Sequence, residues 1–400
     1  MKTITAGVIG FGCRGIGLSH LFYRHRDVSI KYVCDVSRIK VDAGLKEYKR
    51  RYSMDVPFDA FTDNYEDVIS DSEVDTVIVT VPDYLHAQVA VPALEHNKNV
   101  YLEKPMALSE KDCSTICAAA EKSEGILSMG YTLRRTPIYT KIREIIDSGV
   151  LGQIMHINAY EHLEKAHGAS YMRRWHRKSS NAGSFLLAKC SHDIDMLMWL
   201  SGSVPVKMMS FGGLDYFKPE NKPDAADFCA DCPESVKRTC QFVYSGWGVI
   251  EYDDPDHPQP RQDLCAFKSD KDVVDNQVVI LEMENRVRAS FSLQLCHRTG
   301  NRAMHITGSN GSLEADFEKS TIQTDLLDRE ETFVYDTFDT SGGHSGGDPR
   351  IVADFIRTLR GKAGITANYR DGYNSTVACL KIDESLRTGT LVEAGPDIYL

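Results

Sequence analysis

Between an apolar run, Ile4 to Ile9, and a segment with helical spacing, Ile16 to Tyr23, the chain reads Gly10-Phe11-Gly12-Cys13-Arg14-Gly15. Three glycines at this spacing restrict the fold more than any other feature, because each answers a different steric demand. Gly10 permits a tight turn out of the strand, Gly12 lets the backbone approach a pyrophosphate, and Gly15 lets helix and strand pack closely. The N-terminus of the helix then attracts the phosphates. A second β-rich run, Ser29 to Cys34, closes on Asp35, 20 residues after Gly15. The pattern predicts a βαβ unit that binds a dinucleotide across residues 10–15, with Asp35 on the ribose. An aspartate there accepts hydrogen bonds from both ribose hydroxyls and repels a 2′-phosphate, which favours NAD over NADP. Arg38 works the other way, since it offers a phosphate a partner.

The alternation continues with a helical pattern near Ile39–Arg51, a run at Thr76–Thr80, a helical pattern near Leu85–Glu95 and a run at Asn99–Leu102. Such alternation implies a parallel sheet. Ligands sit at the carboxyl ends of strands in open sheets of this kind. That places Thr80, Pro82 and His86 of "TVPDYLH", and Glu103 and Lys104 of "EKP", near the cofactor. Past residue 128 the texture changes. "QVVILEMEN", "VRASFSLQL" and "GSLEADF" alternate apolar and polar residues, which predicts an antiparallel sheet with one solvated or subunit-facing side. The expectation is α/β architecture: a Rossmann domain over 1–127, and an α+β domain over 128–400 with a large open, mainly antiparallel sheet. An irregular stretch rich in Pro, Asp and Cys interrupts the second domain at about 218–262. The loop "TSGGHSGGDPR" precedes a helix for which Asp348 and Pro349 suit the N-cap and first position.

At 400 residues the chain is too long for one ordinary core, and a formal charge of −11 leaves no basic field for nucleic acid. No apolar run approaches the roughly 20 residues that span a bilayer, and the first residues pass straight into a strand pattern rather than a signal peptide. A cytoplasmic protein is expected. Eleven cysteines, an odd number, suit reduced thiols better than a disulfide framework. Cys229-x2-Cys232-x7-Cys240 has spacing compatible with a structural zinc that holds the insertion, with Cys265 or a histidine between 251 and 265 as a fourth ligand; reduced thiols or a redox-labile pair are the alternatives.

Taken in order, "GFGCRG", "TVPDYLH", "EKP", "KCSHDIDMLMWL" and "MHITGSNGSLEADF" resemble the Gfo/Idh/MocA oxidoreductases, and the resemblance covers essentially the whole chain. It implies oxidation or reduction of sugar or cyclitol carbons, and a second-domain sheet that often serves as an oligomer interface, hence a homodimer or homotetramer. It also implies that Lys104 lies beside the nicotinamide and the substrate hydroxyl. A cation there stabilises a developing alkoxide or relays its proton. Lysine's ordinary pKa of about 10.4 is high for a base, but partial burial and a positively charged nicotinamide both lower it. Pro105 restricts the backbone at Lys104, and the bond between them is a candidate for the cis form.

By the same resemblance His192 is the acid/base histidine, with Asp195 one turn on to fix its tautomer. Many relatives carry an aspartate four residues before this histidine. Here that position is Ala188, followed by Lys189, so either Lys189 takes over substrate binding or proton transfer, or the relay is shorter. Trp175, His176 and Arg177 match a segment that closes over nicotinamide and substrate, and Tyr131 and Arg134 sit where relatives contact both. The expected activity is an NAD-dependent dehydrogenase acting on a secondary alcohol of a sugar, glycoside or cyclitol. Alternatives are a redox-neutral glycosidase that holds NAD tightly, and a non-catalytic sensor of NAD or sugar.

Overall fold

Alternating β-rich and amphipathic segments produce a parallel sheet in the computed structural model, which describes residues 3–246, 248–329 and 331–400. The first half runs β1 (Ile4–Ile9), α1 (Cys13–Tyr23), β2 (Val28–Cys34), α2 (Arg38–Tyr52), β3 (Ala60–Thr62), α3 (Tyr65–Ser70), β4 (Thr76–Val79), α4 (His86–Glu95), β5 (Asn99–Leu102), α5 (Glu110–Lys122) and β6 (Leu127–Met129). The strand order is β3-β2-β1-β4-β5-β6. Strands β1, β4 and β5 read as near-continuous apolar runs because both of their faces are covered. The order reverses at β1, and the crevice beyond the ends of β1 and β4 is where such sheets bind ligands.

Two compact units account for the chain. The first comprises residues 1–131, 248–262 and 348–373; the second comprises 132–247, 263–347 and 374–400. A single cut near residue 128 therefore does not describe the division. The helix Gly347–Leu359 supplies Ile351, Val352, Phe355 and Ile356 to the core of the first unit, where they join Phe22 and Tyr101. Phe355 meets Phe22 and Tyr101 edge-on, with ring centroids 6.0 and 5.6 Å apart. Edge-to-face contacts of this kind add to what burial of the rings contributes.

The second unit runs α6 (Pro137–Asp147), β7 (Ile154–Glu164), α7 (Lys165–Arg173), α8 (Ser179–Ala182), α9 (Ser191–Ser201), β8 (Pro205–Gly213), α10 (Glu234–Thr239), β9 (Asn276–Met283), β10 (Arg288–His297), β11 (Asn301–Gly308), β12 (Gly311–Asp316), β13 (Thr321–Leu326), β14 (Glu331–Tyr335) and β15 (Val392–Glu393). These strands form one sheet in the order β14-β13-β12-β11-β7-β10-β9-β8-β15. All neighbours are antiparallel except β7 and β10. Alternation puts Val279, Leu281, Phe291 and Leu293 inside. It leaves Phe211, Val278 and Ile280 about half exposed on the opposite face.

Candidate active site

The glycine turn of the first unit is held by its neighbours. Gly10 has φ +93°, and a β-carbon there would lie 2.7 Å from the backbone of Thr80. The Thr80 hydroxyl donates to the Gly10 carbonyl at 2.5 Å. A β-carbon on Gly15 would meet the Gly10 carbonyl oxygen at 2.1 Å. Gly12 differs, since nothing lies within 4 Å of where its β-carbon would be. It caps the N-terminus of α1 without a side-chain bond, so first-turn N–H groups remain for an anion. Open room at Gly12 and an uncapped helix end fit a pyrophosphate. Of the other loop residues, Phe11 is buried and takes part through its N–H, which donates to Asp35 Oδ2 at 2.8 Å. Cys13 is half-buried beside Arg51.

Asp35 ends β2 almost fully buried. Its Oδ1 accepts from Val36 N at 2.8 Å and pairs with Lys40 Nζ at 2.7 Å. Arg38 is turned to Asp42 at 2.9 Å and lies over the Phe61 ring. Arg14 braces the motif rather than offering a loose charge to phosphate: Nε reaches Glu103 Oε1 at 2.7 Å and Nη1 reaches Asp348 Oδ2 at 2.8 Å. Asp348, expected as a helix cap, thus ties the later helix to the glycine motif. Glu103 is also packed against Gly130, where a β-carbon would lie 2.9 Å from its carboxylate.

Pro82 leads into a single turn, Asp83–Leu85, before α4. His86 is fully buried, with Nδ1 2.7 Å from the Pro105 carbonyl and Nε2 3.2 Å from that of Val81. Burial lowers its pKa despite those carbonyls; a neutral ring has one N–H and donates to one of the two. Lys104 is half-buried, and its bond to Pro105 is cis. Asp83, which the sequence reading passed over, sits in the same charge field: burial pushes its carboxyl up to about 7, with Lys104 pulling the other way and Glu103 adding to the rise. The signal available was its place in "TVPDYLH", at a strand end. Tyr131 is fully buried.

In the second unit, a π-helical turn, Leu186–Cys190, leads into α9. The extra residue in such a turn re-aims side chains and often marks functional segments. Lys189 is buried with Nζ 3.3 Å from Glu161 Oε1. Arg302 reaches Glu161 and, at 2.9 Å, Asp193, so two carboxylates and two cations form one buried network. Burial raises the Glu161 pKa while Arg302 and Lys189 oppose it. His192 is 2% exposed, and its ring centroid is 5.6 Å from that of His344. His344, with φ +48°, lies in the glycine-rich loop read above as mainly helix start.

Arg134, expected at cofactor and substrate, and Asp195, expected to fix the His192 tautomer, are brought together. Nε and Nη2 of Arg134 reach the two Asp195 oxygens at 2.9 and 2.6 Å, and both residues are buried. This fork geometry is how a buried carboxylate is best compensated. Trp175, His176 and Arg177 occupy one tight turn. The Trp175 and His176 rings stack at 3.8 Å, and Arg177 pairs with Asp270 at 2.6 Å.

Zinc is not supported. Among the described residues no three His, Cys, Asp or Glu side chains are arranged to hold a metal ion. Cys229, Cys232, Cys240 and Cys265 line a small cavity with Phe242 and Phe267. Burial pushes the Cys229 thiol up and favours its neutral, weakly ligating form. No disulfide is present among the described residues.

A glycine turn between strand and helix at the reversal of a parallel sheet, followed by a second unit with a mixed sheet, defines a two-part α/β protein with a dinucleotide-binding first half. Residues 4–131 match the NAD-binding Rossmann fold of an oxidoreductase family, and 143–393 match that family's C-terminal alpha/beta domain. The chain belongs to the Gfo/Idh/MocA oxidoreductase family. It is 27% identical over 324 residues to the oxidoreductase YteT of Bacillus subtilis, covering 74% of each chain. It is 31% identical over 202 residues to inositol 2-dehydrogenase of Salmonella typhimurium, covering 50% of this chain and 54% of that enzyme. Levoglucosan dehydrogenase in complex with NADH and levoglucosan superposes with a TM-score of 0.76 at 18% identity, covering 98% of this chain and 99% of that one. No described helix is long and apolar enough to cross a membrane.

Proposed function

We propose that this protein is an NAD-dependent dehydrogenase that moves a hydride between a secondary alcohol of a sugar, glycoside or cyclitol and the nicotinamide ring. The observation that carries this reading is the glycine turn at the end of β1, with its open room at Gly12 and uncapped helix end, together with Lys104 and Asp83 in the loops that follow β5 and β4 of the same sheet. Relatives that include inositol 2-dehydrogenase and levoglucosan dehydrogenase support the substrate class.

Bound NAD⁺ supplies the hydride acceptor. Residues 10–15 hold its pyrophosphate and Asp35 its ribose. The Lys104 ammonium stabilises the alkoxide that develops at the substrate oxygen. Asp83, able to exchange a proton near neutral pH, accepts from or returns a proton to Lys104, and His192 serves as the acid/base group of the second unit. Lys189, bound to Glu161, acts as a positioning residue. The half-exposed apolar face of Phe211, Val278 and Ile280 is assigned to contact with further copies of the chain, in a dimer or tetramer.

The test is a panel of polyols, sugars and glycosides with added NAD⁺, read by NADH absorbance. A net rise with at least one member, lost by a factor of about 10² or more in Lys104→Ala, is expected. NAD that copurifies, with aglycone release and no net NADH, would replace the dehydrogenase with a redox-neutral glycosidase.

A further inference from the structure

The loop that follows β2 carries a contradiction. Asp35 disfavours a 2′-phosphate, yet Ser37, Arg38, Lys40 and the N-terminus of the 15-residue helix α2 together make a set of donors that suits one. The structure removes this conflict with a piece of chain remote in sequence. Residues 248–262, the latter part of the irregular stretch, belong to the first unit. Ile250 packs against that unit's core. Gln259 braces the segment, donating to the Ile250 carbonyl at 2.8 Å and accepting from Tyr252 N at 3.3 Å. At its centre Asp254 accepts the Ser37 hydroxyl through Oδ2, while Oδ1 accepts from Asp256 N and His257 N at 3.0 and 3.3 Å. Ser37 is 4% exposed and Asp254 5%, so the bond is dry.

Ser37 has one hydroxyl proton, and Asp254 takes it; the same oxygen accepts from Lys40 N at 3.2 Å, as the cap of α2. Lys40 is paired with Asp35 and Arg38 with Asp42. The Arg38 pair is exposed and worth little, but the other two are buried or half-buried. Each side chain that would receive a phosphate is thus paired with a carboxylate, and three carboxylates outnumber two cations. We propose that segment 248–262 is a cofactor-selecting cover: through Asp254 it closes Ser37 to a 2′-phosphate and commits the site to the dinucleotide without one.

A phosphomonoester carries a charge of about −1.5 to −2 at neutral pH, so placing it beside Asp254 and Asp35 without a donor is opposed by both repulsion and desolvation. The inference rests on the reading of residues 10–15 and Asp35 as the dinucleotide site. The experiment is equilibrium binding of NADH and NADPH to the full chain, with melting temperature recorded in parallel. Wild-type protein is expected to prefer NADH. Asp254→Asn, which removes the charge and keeps the shape, is expected to raise NADPH affinity relative to NADH by about tenfold. Ser37→Ala, which leaves the carboxylate in place, should give no such gain. Wild-type protein that binds both nucleotides equally overturns the proposal without any variant. So does an unchanged ratio in a folded Asp254→Asn, or a parallel loss of both affinities with a lowered melting temperature, which would make the segment a structural strap. Failure of wild-type protein to bind either nucleotide refutes the underlying site, a result separate from these.

Discussion

Asp83 owes its chemistry to burial beyond the end of β4, where Glu103 adds to the rise of its carboxyl and Lys104 opposes it. The carboxyl's pKa rises from 3.8 to about 7. Below about 4 both folded and unfolded chains hold the proton and nothing is lost. Between about 4 and 7 the unfolded chain ionises while the folded one does not, so stability falls as pH rises and levels off above 7. Asp83→Asn is therefore expected to match wild type in stability at pH 4 and to exceed it increasingly up to pH 7, by on the order of a few kcal/mol at most, read as a melting temperature that rises above wild type's with pH. If the proposed dehydrogenase reading holds, the same variant should also lose a rise in kcat/KM near pH 7. A melting-temperature difference that does not change with pH would remove the raised carboxyl from the account. Among single residues, Gly10, Gly15 and Asp35 were legible in the sequence because a fixed local spacing encodes them. The place of Lys104 just past a strand was legible because "EKP" follows an apolar run, whereas its role was read only through the resemblance. The fork between Arg134 and Asp195, 61 positions apart, was not legible, because a lone charge gives no hint of its partner. Nor was the brace on Arg14, whose partners Glu103 and Asp348 lie far along the chain.

At the level of elements, the turn into α1 separates what glycine does for the fold from what it does for a ligand. Gly12 has φ −81°, which any residue adopts, and open space where a side chain would begin. Gly15 would press a β-carbon into the Gly10 carbonyl. Gly12→Ala is expected to keep its melting temperature, within about 0.5 kcal/mol in stability, while NADH affinity falls by at least about tenfold. Gly15→Ala should lose both. Calorimetry and a binding titration on the two variants check this, and a destabilised Gly12→Ala would mean the room at that α-carbon belongs to the protein. The parallel strands and their helices were readable because apolar runs, caps and glycine stops are local signals. The π-turn before α9 was not, since one extra residue leaves no mark in apolar periodicity. Nor was the parallel pairing of β7 with β10, two strands separated by more than a hundred residues.

Over the whole molecule, the first unit is assembled from three stretches of chain, and its core is incomplete without the last of them. Ile351, Val352, Phe355 and Ile356 cover Phe22 and Tyr101, and Asp348 completes the brace on Arg14. A fragment of residues 1–131 is thus expected to bind a hydrophobic dye and melt without a cooperative transition. The same fragment joined through a flexible linker to 348–373 should regain one; a cooperative 1–131 alone would show that the later helix is dispensable. A change of texture near residue 128 was visible in the sequence, but not the return of 248–262 and 348–373, because an amphipathic helix such as Gly347–Leu359 shows that it needs a partner and not which one. The order of synthesis follows from this arrangement. A ribosome adding about 5–20 residues per second releases the first six strands and then works for roughly ten to fifty seconds before the helix that covers them emerges. Through that interval the nascent sheet keeps an uncovered apolar face, which closes only when Gly347–Leu359 has emerged.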